Sequence, residues 1–341
     1  MLKLAFVPLA AVAAAALAAA PVLAADITGA GSSFVAPLYA KWASGYKTAT
    51  GNKVNYQSIG SGGGQAQIKA RTVDFGASDD PMAPADLASN GLMQFPSVIG
   101  SEVIIVNIPG VANAQLRLTP AVLAGIYQGQ IKRWNDPAIV AINKGLPLRP
   151  LPITPVYRSD SSGTTAVFTK YMAKTAPNWK LGAGKTISWP AGSGGKGNEG
   201  VSGNVKNTVG AIGYVEFNYA FANKLVMTML SNRDGKFVAP TPASFDAAAA
   251  QADWAKAPGV VVDLLNLPGA NTWPIVSPTY VIVPLKPTKP AQTSGVLAFF
   301  NWGFVKGGPA ATQLGYLPLP AAATARVRTE WKKIAGVTQP K

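Results

Sequence analysis

Residues 157–168 read YRSDSSGTTAVF, and they bring an arginine, a carboxylate and a helix start close together in the chain. Asp160 lies two residues after Arg158 and can orient its guanidinium, while residues 162–164 begin a predicted helix. The first backbone N–H groups of a helix lack internal partners and carry the positive end of its dipole, so they stabilise a small anion. The stretch therefore predicts an oxyanion site. An ordinary Ser-capped helix beside a surface Arg–Asp pair is the alternative.

Two earlier segments repeat the order of strand, hydroxyl-bearing turn and helix. Residues 26–33 read DITGAGSS and precede apolar side chains that recur every four positions from Phe34 onward, which predicts a strand, a turn and a helix. Residues 54–59 alternate like a strand and lead into a glycine-rich turn with Ser61 and a predicted helix over 65–70. Hydroxyl side chains are thus expected at more than one helix start.

A third short strand ends in carboxylates. Residues 73–81 read VDFGASDDP, in which a proline stops the strand after two adjacent aspartates. Asp79 falls at a strand end, the region where open α/β sheets place their ligands. A solvated turn is the alternative for Asp79.

The two most β-prone runs suggest the domain organisation. Residues 103–106 and 279–283 bracket a long stretch of mixed α/β pattern, which includes the segment 210–215. We interpret the two runs as crossings between two domains. Residues 296–304 and 326–334 predict amphipathic helices that return to the first domain.

The N-terminal segment has the layout of an export signal. Residues 1–25 combine Lys3 with an Ala-rich apolar run and small residues before Asp26, which predicts a signal peptide removed on export to the periplasm. A retained membrane anchor is the alternative, because the run is long enough to span. Pro8 and Pro21 and the lack of a charged stop favour removal.

Composition limits the possible functions. The chain has 341 residues, 48% of them hydrophobic and 13% charged, which is enough for one large or two medium domains. Thirty Lys and Arg against 15 Asp and Glu give +15, and removal of Lys3 leaves +14. The basic residues are scattered, so we expect no nucleic-acid partner.

The chain contains no His and no Cys. Disulfides, the usual general base, the thiol nucleophile and most zinc sites are therefore ruled out. No EF-hand spacing and no nucleophile elbow occur either. We expect no catalytic residue, no metal and no cofactor, and catalysis is the poorer class of function.

One glycine-rich motif matches a dinucleotide-binding fingerprint, but its surroundings argue against a bound cofactor. Residues 192–197 match G-x-G-x-x-G, and Glu216 follows at a suitable distance. Pro190 interrupts the strand that should precede the motif, and Gly200 and Gly203 weaken the helix that should follow. We interpret the segment as a glycine loop at the cleft or on a domain surface.

Nine segments of the chain, taken in order, resemble a known family. They read GAGSSF, YQSIGSGGG, VDFGASDDP, QFPSVIG, GIYQGQIKRWND, YRSDSSGTTAVF, GGKGNEGV, GAIGYVEF and GYLPLP. The sequence is similar to the periplasmic phosphate-binding proteins of bacterial high-affinity phosphate ABC transporters. The resemblance implies an α/β periplasmic binding protein fold of type II, with two lobes joined by two hinge strands around a ligand cleft. Lobe I would comprise residues 26–101 and 277–341, and lobe II residues 102–276.

The resemblance also implies a ligand, a site and partners. A monomer would bind inorganic phosphate and deliver it to a membrane permease, and Asp160 would orient the arginine. Ser33 stands where the family often has Thr. A secreted phosphatase, a carrier of another tetrahedral oxyanion and a phosphate scavenger without a permease are the alternatives. The phosphate contacts would fall on Ser33, Phe34 through its backbone, Ser61, Asp79, Arg158, Ser162, Gly163 and Thr164.

Overall fold

The computed structural model describes residues 26–340. The predicted signal peptide, residues 1–25, lies outside the described residues. Within residues 26–340 the strands are β1 Ile27–Gly31, β2 Val54–Ser58, β3 Phe75–Ser78, β4 Leu92–Val106, β5 Arg117–Leu118, β6 Thr154–Arg158, β7 Ser193–Gly195, β8 Ala211–Glu216, β9 Val226–Met227, β10 Met229–Ser231, β11 Phe237–Val238 and β12 Val276–Pro284.

Helices alternate with these strands over most of the chain. A short 3-10 helix spans Pro258–Val260. The α-helices in the described part are α1 Ala36–Thr50, α2 Ser61–Lys69, α3 Pro84–Ser89, α4 Pro120–Tyr127, α5 Pro137–Val140, α6 Gly163–Thr175, α7 Gly197–Asn207, α8 Phe217–Ala222, α9 Pro242–Ala249, α10 Pro290–Lys306, α11 Gly308–Gln313 and α12 Ala321–Trp331.

Most strands belong to one mixed sheet. Its order is β2-β1-β3-β12-β4-β8-β6-β7, and β9 pairs with β4 beside this path. Strands β1, β2 and β3 are parallel to one another, as are β6, β7 and β8. Strand β12 runs antiparallel to both β3 and β4, and β4 antiparallel to β8. Strands β11, β10 and β5 form a separate small sheet.

Strand β4 contributes to both halves of the sheet. It is buried along its whole length, and it pairs with β12 as far as Ser101 and with β8 from Glu102 onward. The chain returns beside this point, because Val276 of β12 pairs with Ser101. We call β1, β2, β3, β12 and β4 up to Ser101 the first half-sheet. The second half-sheet is β4 from Glu102 together with β6, β7, β8 and β9.

The predicted strand at 103–106 is only the end of β4. Residues 92–101 include Pro96, and proline is disfavoured inside a strand. The register between β4 and β12 shifts at Thr279/Tyr280, where Pro96 is opposite Tyr280 and Val98 opposite Thr279. Proline lacks the N–H that a regular ladder needs, and an irregularity of this kind accommodates it.

Aromatic side chains fill the core on the first half-sheet. The predicted four-residue spacing is confirmed in α1, which buries Leu38, Trp42 and Tyr46, although Phe34 lies before the helix. The ring of Phe299 from α10 packs on that of Trp42, with centroids 6.4 Å apart. The predicted helices at 296–304 and 326–334 correspond to α10 and α12.

Helix α7 corrects one expectation. Gly200 and Gly203 were expected to weaken the helix after the glycine-rich motif, yet α7 forms. No strand precedes the motif next to Pro190, as expected, and β7 lies within the motif itself. A Cβ on Gly200 would lie 3.0 Å from the carbonyl carbon of Gly195, so the glycines allow helix and strand to approach closely. Tertiary packing therefore overrides their low helix propensity. Among residues 26–340 no helix has the length and apolar character needed to cross a bilayer.

Candidate functional site

The predicted helix starts converge where the two half-sheets face each other. Helix α2 begins at Ser61 after β2, and α6 begins at Gly163 after β6. A Cβ built on Gly163 would lie only 2.2 Å from Ser61 Oγ and 2.6 Å from Asp79 Oδ2. Ser33 lies in the loop between β1 and α1, and Asn198 of α7 reaches it across the interface. The structure thus brings residues that follow β1, β2, β3 and β6 to one point.

Arg158 is the cation of this cluster. It ends β6, is 5% exposed, and donates from Nε to Asp160 Oδ1 at 2.8 Å and from Nη2 to Oδ2 at 2.5 Å. Its Nη1 donates to Thr164 Oγ1 at 3.0 Å. Burial tends to raise the pKa of Asp160, but the hydrogen bonds and charge of Arg158 and the N–H of Gly197 hold that pKa below its usual value. Asp160 therefore fixes the guanidinium from behind, as its spacing predicted.

Asp79 is the carboxylate of the cluster and is 1% exposed. Ser32 Oγ donates to its Oδ2 at 2.6 Å, and Thr279 Oγ1 donates to its Oδ1 at 2.6 Å. Ser61 Oγ lies 3.4 Å from Oδ2. Burial raises the pKa of Asp79 to about 6, against the opposing effect of these hydroxyls and of the charge of Arg158. The Asp79 carboxyl is therefore protonated more readily near neutral pH than an ordinary aspartate.

The remaining predicted residues line the same point in different ways. Ser162 caps α6, and its Oγ accepts from Thr165 N at 3.1 Å. Phe34 places its ring in the core, and its backbone N–H donates to Ser32 Oγ at 3.0 Å. Thr164 is fully buried, and its Oγ1 faces Arg158. All eight predicted contact residues therefore lie on the strand ends, loops and helix starts that form the cluster.

Sequence reasoning missed three residues that hold this cluster together. Ser32 and Thr279 donate to Asp79, and Asn198 donates to Ser33 Oγ from Nδ2 at 2.8 Å. Thr279 carried no local signal, because its partner is 200 residues away. Asn198 directly follows the glycine-rich motif, so the motif marked its place but not its role.

Two further carboxyls lie buried where β4 changes partners. Glu102 is opposite Glu216 in the pairing of β4 with β8. Burial raises the pKa of Glu102 well above its usual value, with a further contribution from the charge of Asp79. Burial likewise raises the pKa of Glu216, against the N–H of Asn218. A raised pKa disfavours the charged form of both carboxyls, so they compete for the positive charge of Arg158 less than ordinary glutamates would.

Several contacts join the two half-sheets around the cluster. Gly62 N donates to Ser161 O at 2.9 Å, and Tyr219 Oη donates to Ser33 O at 2.7 Å. At the rim, Asp80 accepts from the ammonium groups of both Lys170 and Lys185, the latter at 3.2 Å. These bonds join residues that follow strands of opposite half-sheets.

The cluster is suited to binding an anion. It combines hydroxyls, backbone N–H groups at helix starts and one guanidinium, which together can replace the water around a small oxyanion. Within residues 26–340 no group of three or more acidic, His or Cys side chains could hold a metal ion.

Sequence comparisons relate the chain to known proteins. The sequence profile of the PBP superfamily domain matches residues 16–304. The phosphate-binding protein PstS of Pasteurella multocida (strain Pm70) is 50% identical over 308 residues, which cover 90% of this chain and 90% of that protein. The phosphate-binding protein PstS of Haemophilus influenzae is also 50% identical over 308 residues, covering 90% of this chain and 92% of that protein.

A solved structure extends the likeness to the fold. The high-affinity periplasmic phosphate-binding protein PfluDING, bound with phosphate, has a TM-score of 0.75 and 23% identity. The alignment covers 93% of this chain and 100% of that chain. The predicted fold class is confirmed: the chain has the two-lobed α/β fold of the periplasmic binding proteins.

Proposed function

This chain belongs to the PstS family of phosphate-binding proteins within the PBP superfamily, and from that premise we propose that it binds inorganic phosphate in the cleft between its half-sheets. It then delivers the anion to the permease of a phosphate ABC transporter. The observation that carries the proposal is that one cluster contains both Arg158, a buried cation, and Asp79, a buried carboxyl whose pKa is raised to about 6.

The proposed contacts to phosphate are of two chemical kinds, groups that present positive charge and groups that donate from a hydroxyl. Backbone N–H groups near Phe34 and Gly163, together with the guanidinium of Arg158, face the anion with positive charge. The hydroxyls donate hydrogen bonds from both half-sheets. Closing the cleft excludes water and so strengthens each of these electrostatic contacts. The hydroxyl donors are those of Ser33, Ser61, Ser162 and Thr164.

Asp79 gives the site its selectivity in this proposal. A carboxylate repels an oxyanion unless a proton lies between them. At neutral pH phosphate still carries a proton and sulfate carries none, so Asp79 accepts the hydrogen bond of phosphate and rejects sulfate. An unmade bond at a buried pair costs several kcal/mol, which corresponds to a discrimination of ~10³-fold or more.

The proposal extends to domains and location. Lobe I comprises residues 26–101 and 277–341 and lobe II residues 102–276, and the change of partner along β4 at Ser101 and Glu102 supports these limits. The mature protein is a periplasmic monomer that needs no metal or cofactor and has no catalytic activity. Its relatives are named as binding proteins, which supports the last point.

Titration calorimetry on protein stripped of bound ligand tests the proposal. We expect tight binding of phosphate and of arsenate, which is also protonated at neutral pH, with no binding of sulfate or nucleotides. Asp79→Asn should gain affinity for sulfate, because an amide can donate to an unprotonated oxygen. Wild-type protein that binds sulfate as well as phosphate, or an Asn variant that gains nothing for sulfate, would rule out this role for Asp79.

Simpler measurements test the remaining parts. Saturating phosphate should raise the melting temperature, because a ligand at 100 times its Kd stabilises the folded state by about 2.7 kcal/mol. The protein should elute as a monomer with and without phosphate. It should release no phosphate from a chromogenic phosphomonoester, and measurable turnover would favour the secreted phosphatase instead.

A further inference from the structure

Asn198 links a hydroxyl from each half-sheet at the centre of the site. Its side chain is fully buried. Its Nδ2 donates to Ser33 Oγ at 2.8 Å and lies 3.4 Å from Thr164 Oγ1, and its backbone N donates to Ser33 Oγ at 3.1 Å. Ser33 follows β1 of the first half-sheet, whereas Thr164 and Asn198 belong to helices beside the second. Asn198 therefore meets both partners only when the cleft is closed.

The orientation of the Asn198 amide is fixed by the backbone. Glu216 N donates to Asn198 Oδ1 at 2.9 Å. A reversed amide would place Nδ2 against this N–H group, so that two donors would face each other in a buried place. The two hydrogens of Nδ2 must therefore point toward Ser33 and Thr164.

These contacts occupy the acceptor positions of both hydroxyls. A hydroxyl oxygen has one hydrogen and two lone pairs. Ser33 Oγ accepts from Asn198 twice, and Thr164 Oγ1 accepts from Arg158 Nη1 and from Asn198 Nδ2. We propose that Asn198 is a positioning residue that forces the hydroxyls of Ser33 and Thr164 to act only as donors toward the bound anion, an inference that rests on the proposed function.

This restriction has a consequence for the ligand. An oxygen that faces Ser33 or Thr164 must accept a hydrogen bond, so no phosphate proton can be directed at either hydroxyl. The proton of bound phosphate is then confined to the side of the site that faces Asp79. Because Asn198 reaches Ser33 only on closure, an anion protonated on the wrong oxygen opposes closure itself.

A double-mutant cycle tests the role of Asn198. Asn198→Asp keeps the shape of the side chain and the acceptor for Glu216 N, but it replaces the donor by an oxygen that only accepts. The hydroxyls of Ser33 and Thr164 then turn toward the new carboxylate and away from the ligand. We expect Ser33→Ala to lower phosphate affinity by about 10-fold or more in the wild type. In the Asn198→Asp background the same change should lower it by less than about twofold.

Asn207→Asp is the matched control, because it makes the same chemical change at an exposed position on the same helix. Ser33→Ala should cost as much in that background as in the wild type. If the losses simply multiply in the Asn198→Asp background while wild-type binding is intact, the inference is wrong and the proposed function stands. If wild-type protein binds no phosphate in calorimetry, both are wrong.

Neutron diffraction on wild-type crystals with phosphate gives an answer even if the Asn198 variant fails to fold. The deuterons on Ser33 Oγ and Thr164 Oγ1 should point at ligand oxygens, and both deuterons of Asn198 Nδ2 should point at these hydroxyls. A Ser33 deuteron directed at Asn198 would overturn the assignment.

Discussion

At the scale of single residues, the site depends on two buried charges of opposite sign. Arg158 is held by both oxygens of Asp160, and Asp79 is held by hydroxyls on each of its oxygens. Arg158 can therefore offer its charge without reorganising, while Asp79 can accept a hydrogen bond from a protonated ligand. Substitutions at the two residues should have different effects, because Arg158 attracts a dianion and Asp79 does not.

We expect Arg158→Ala to weaken phosphate binding far more than Asp160→Asn. Losing a buried charge-assisted contact costs about 2–5 kcal/mol, or roughly 30-fold to several thousandfold in Kd. Arg158→Lys should lie between, because an ammonium keeps the charge but not the planar fork. Calorimetry gives the three Kd values, with circular dichroism as the check on folding. A larger loss from Asp160→Asn than from Arg158→Ala would reverse the assigned roles.

The raised pKa of Asp79 predicts how stability depends on pH. The folded protein holds the Asp79 proton more tightly than the unfolded chain, since its pKa is about 6 against an ordinary 3.8. This contribution favours folding below pH 3.8 and is lost as the pH rises through 6. Wild type should therefore lose stability relative to Asp79→Asn, which cannot titrate, as the pH rises from 3.8 to 6. The free energy of unfolding of the variant minus that of wild type should increase over this interval by at most roughly 3 kcal/mol. Urea unfolding in phosphate-free buffer measures the difference, and a flat or falling difference would contradict the prediction.

At the scale of secondary structure, local patterns predicted the elements better than the contacts between them. Ser61 and Gly163 were found because hydroxyls and glycines at a helix start are a signal within a few residues. The contact of Asn198 with Ser33 spans 165 residues, so no local pattern contains it. The full length of β4 was missed because Pro96 is tolerated only through the register shift opposite β12.

Helix α6 meets α2 so closely that its first residue must be glycine. A Cβ on Gly163 would collide with Ser61 and Asp79, which lie on the opposite half-sheet. We expect Gly163→Ala to leave the protein folded but to prevent closure, with a loss of phosphate affinity on the order of 100-fold or more.

Gly203→Ala in α7 is the matched control, because a Cβ there meets no atom within 4 Å. It should leave binding unchanged and stabilise the protein by about 0.5–1 kcal/mol. Calorimetry and thermal unfolding separate the two effects, and normal binding by the Gly163 variant would show that closure tolerates a methyl group at this position.

At the scale of the whole molecule, ion pairs across the rim hold the closed state. Asp80 accepts from Lys170 and Lys185, whose side chains are 46% and 28% exposed. Pairs this exposed contribute about 0.2–1 kcal/mol each and are screened by salt. Asp80→Asn should therefore speed phosphate dissociation by about 2- to 10-fold at low salt, and by less at high salt.

Stopped-flow measurement of the dissociation rate checks this prediction. The control is Asp86→Asn, because the ion pair of Asp86 with Lys69 joins α3 to α2 beside the first half-sheet and does not cross the cleft. Equal dissociation rates for the Asp80 variant, the Asp86 variant and wild type would show that the rim pairs do not hold the cleft closed.

The point where β4 changes partners also has a consequence for recombination between genes of this family. Ser101 pairs with Val276, and Glu102 N donates to Ile275 O at 3.0 Å, so the chain leaves and re-enters the first half-sheet at touching positions. Residues 102–275 are in this respect a cassette whose two ends meet. We therefore expect recombination at these two junctions to exchange the cassette between homologues without moving any strand that β12 pairs with.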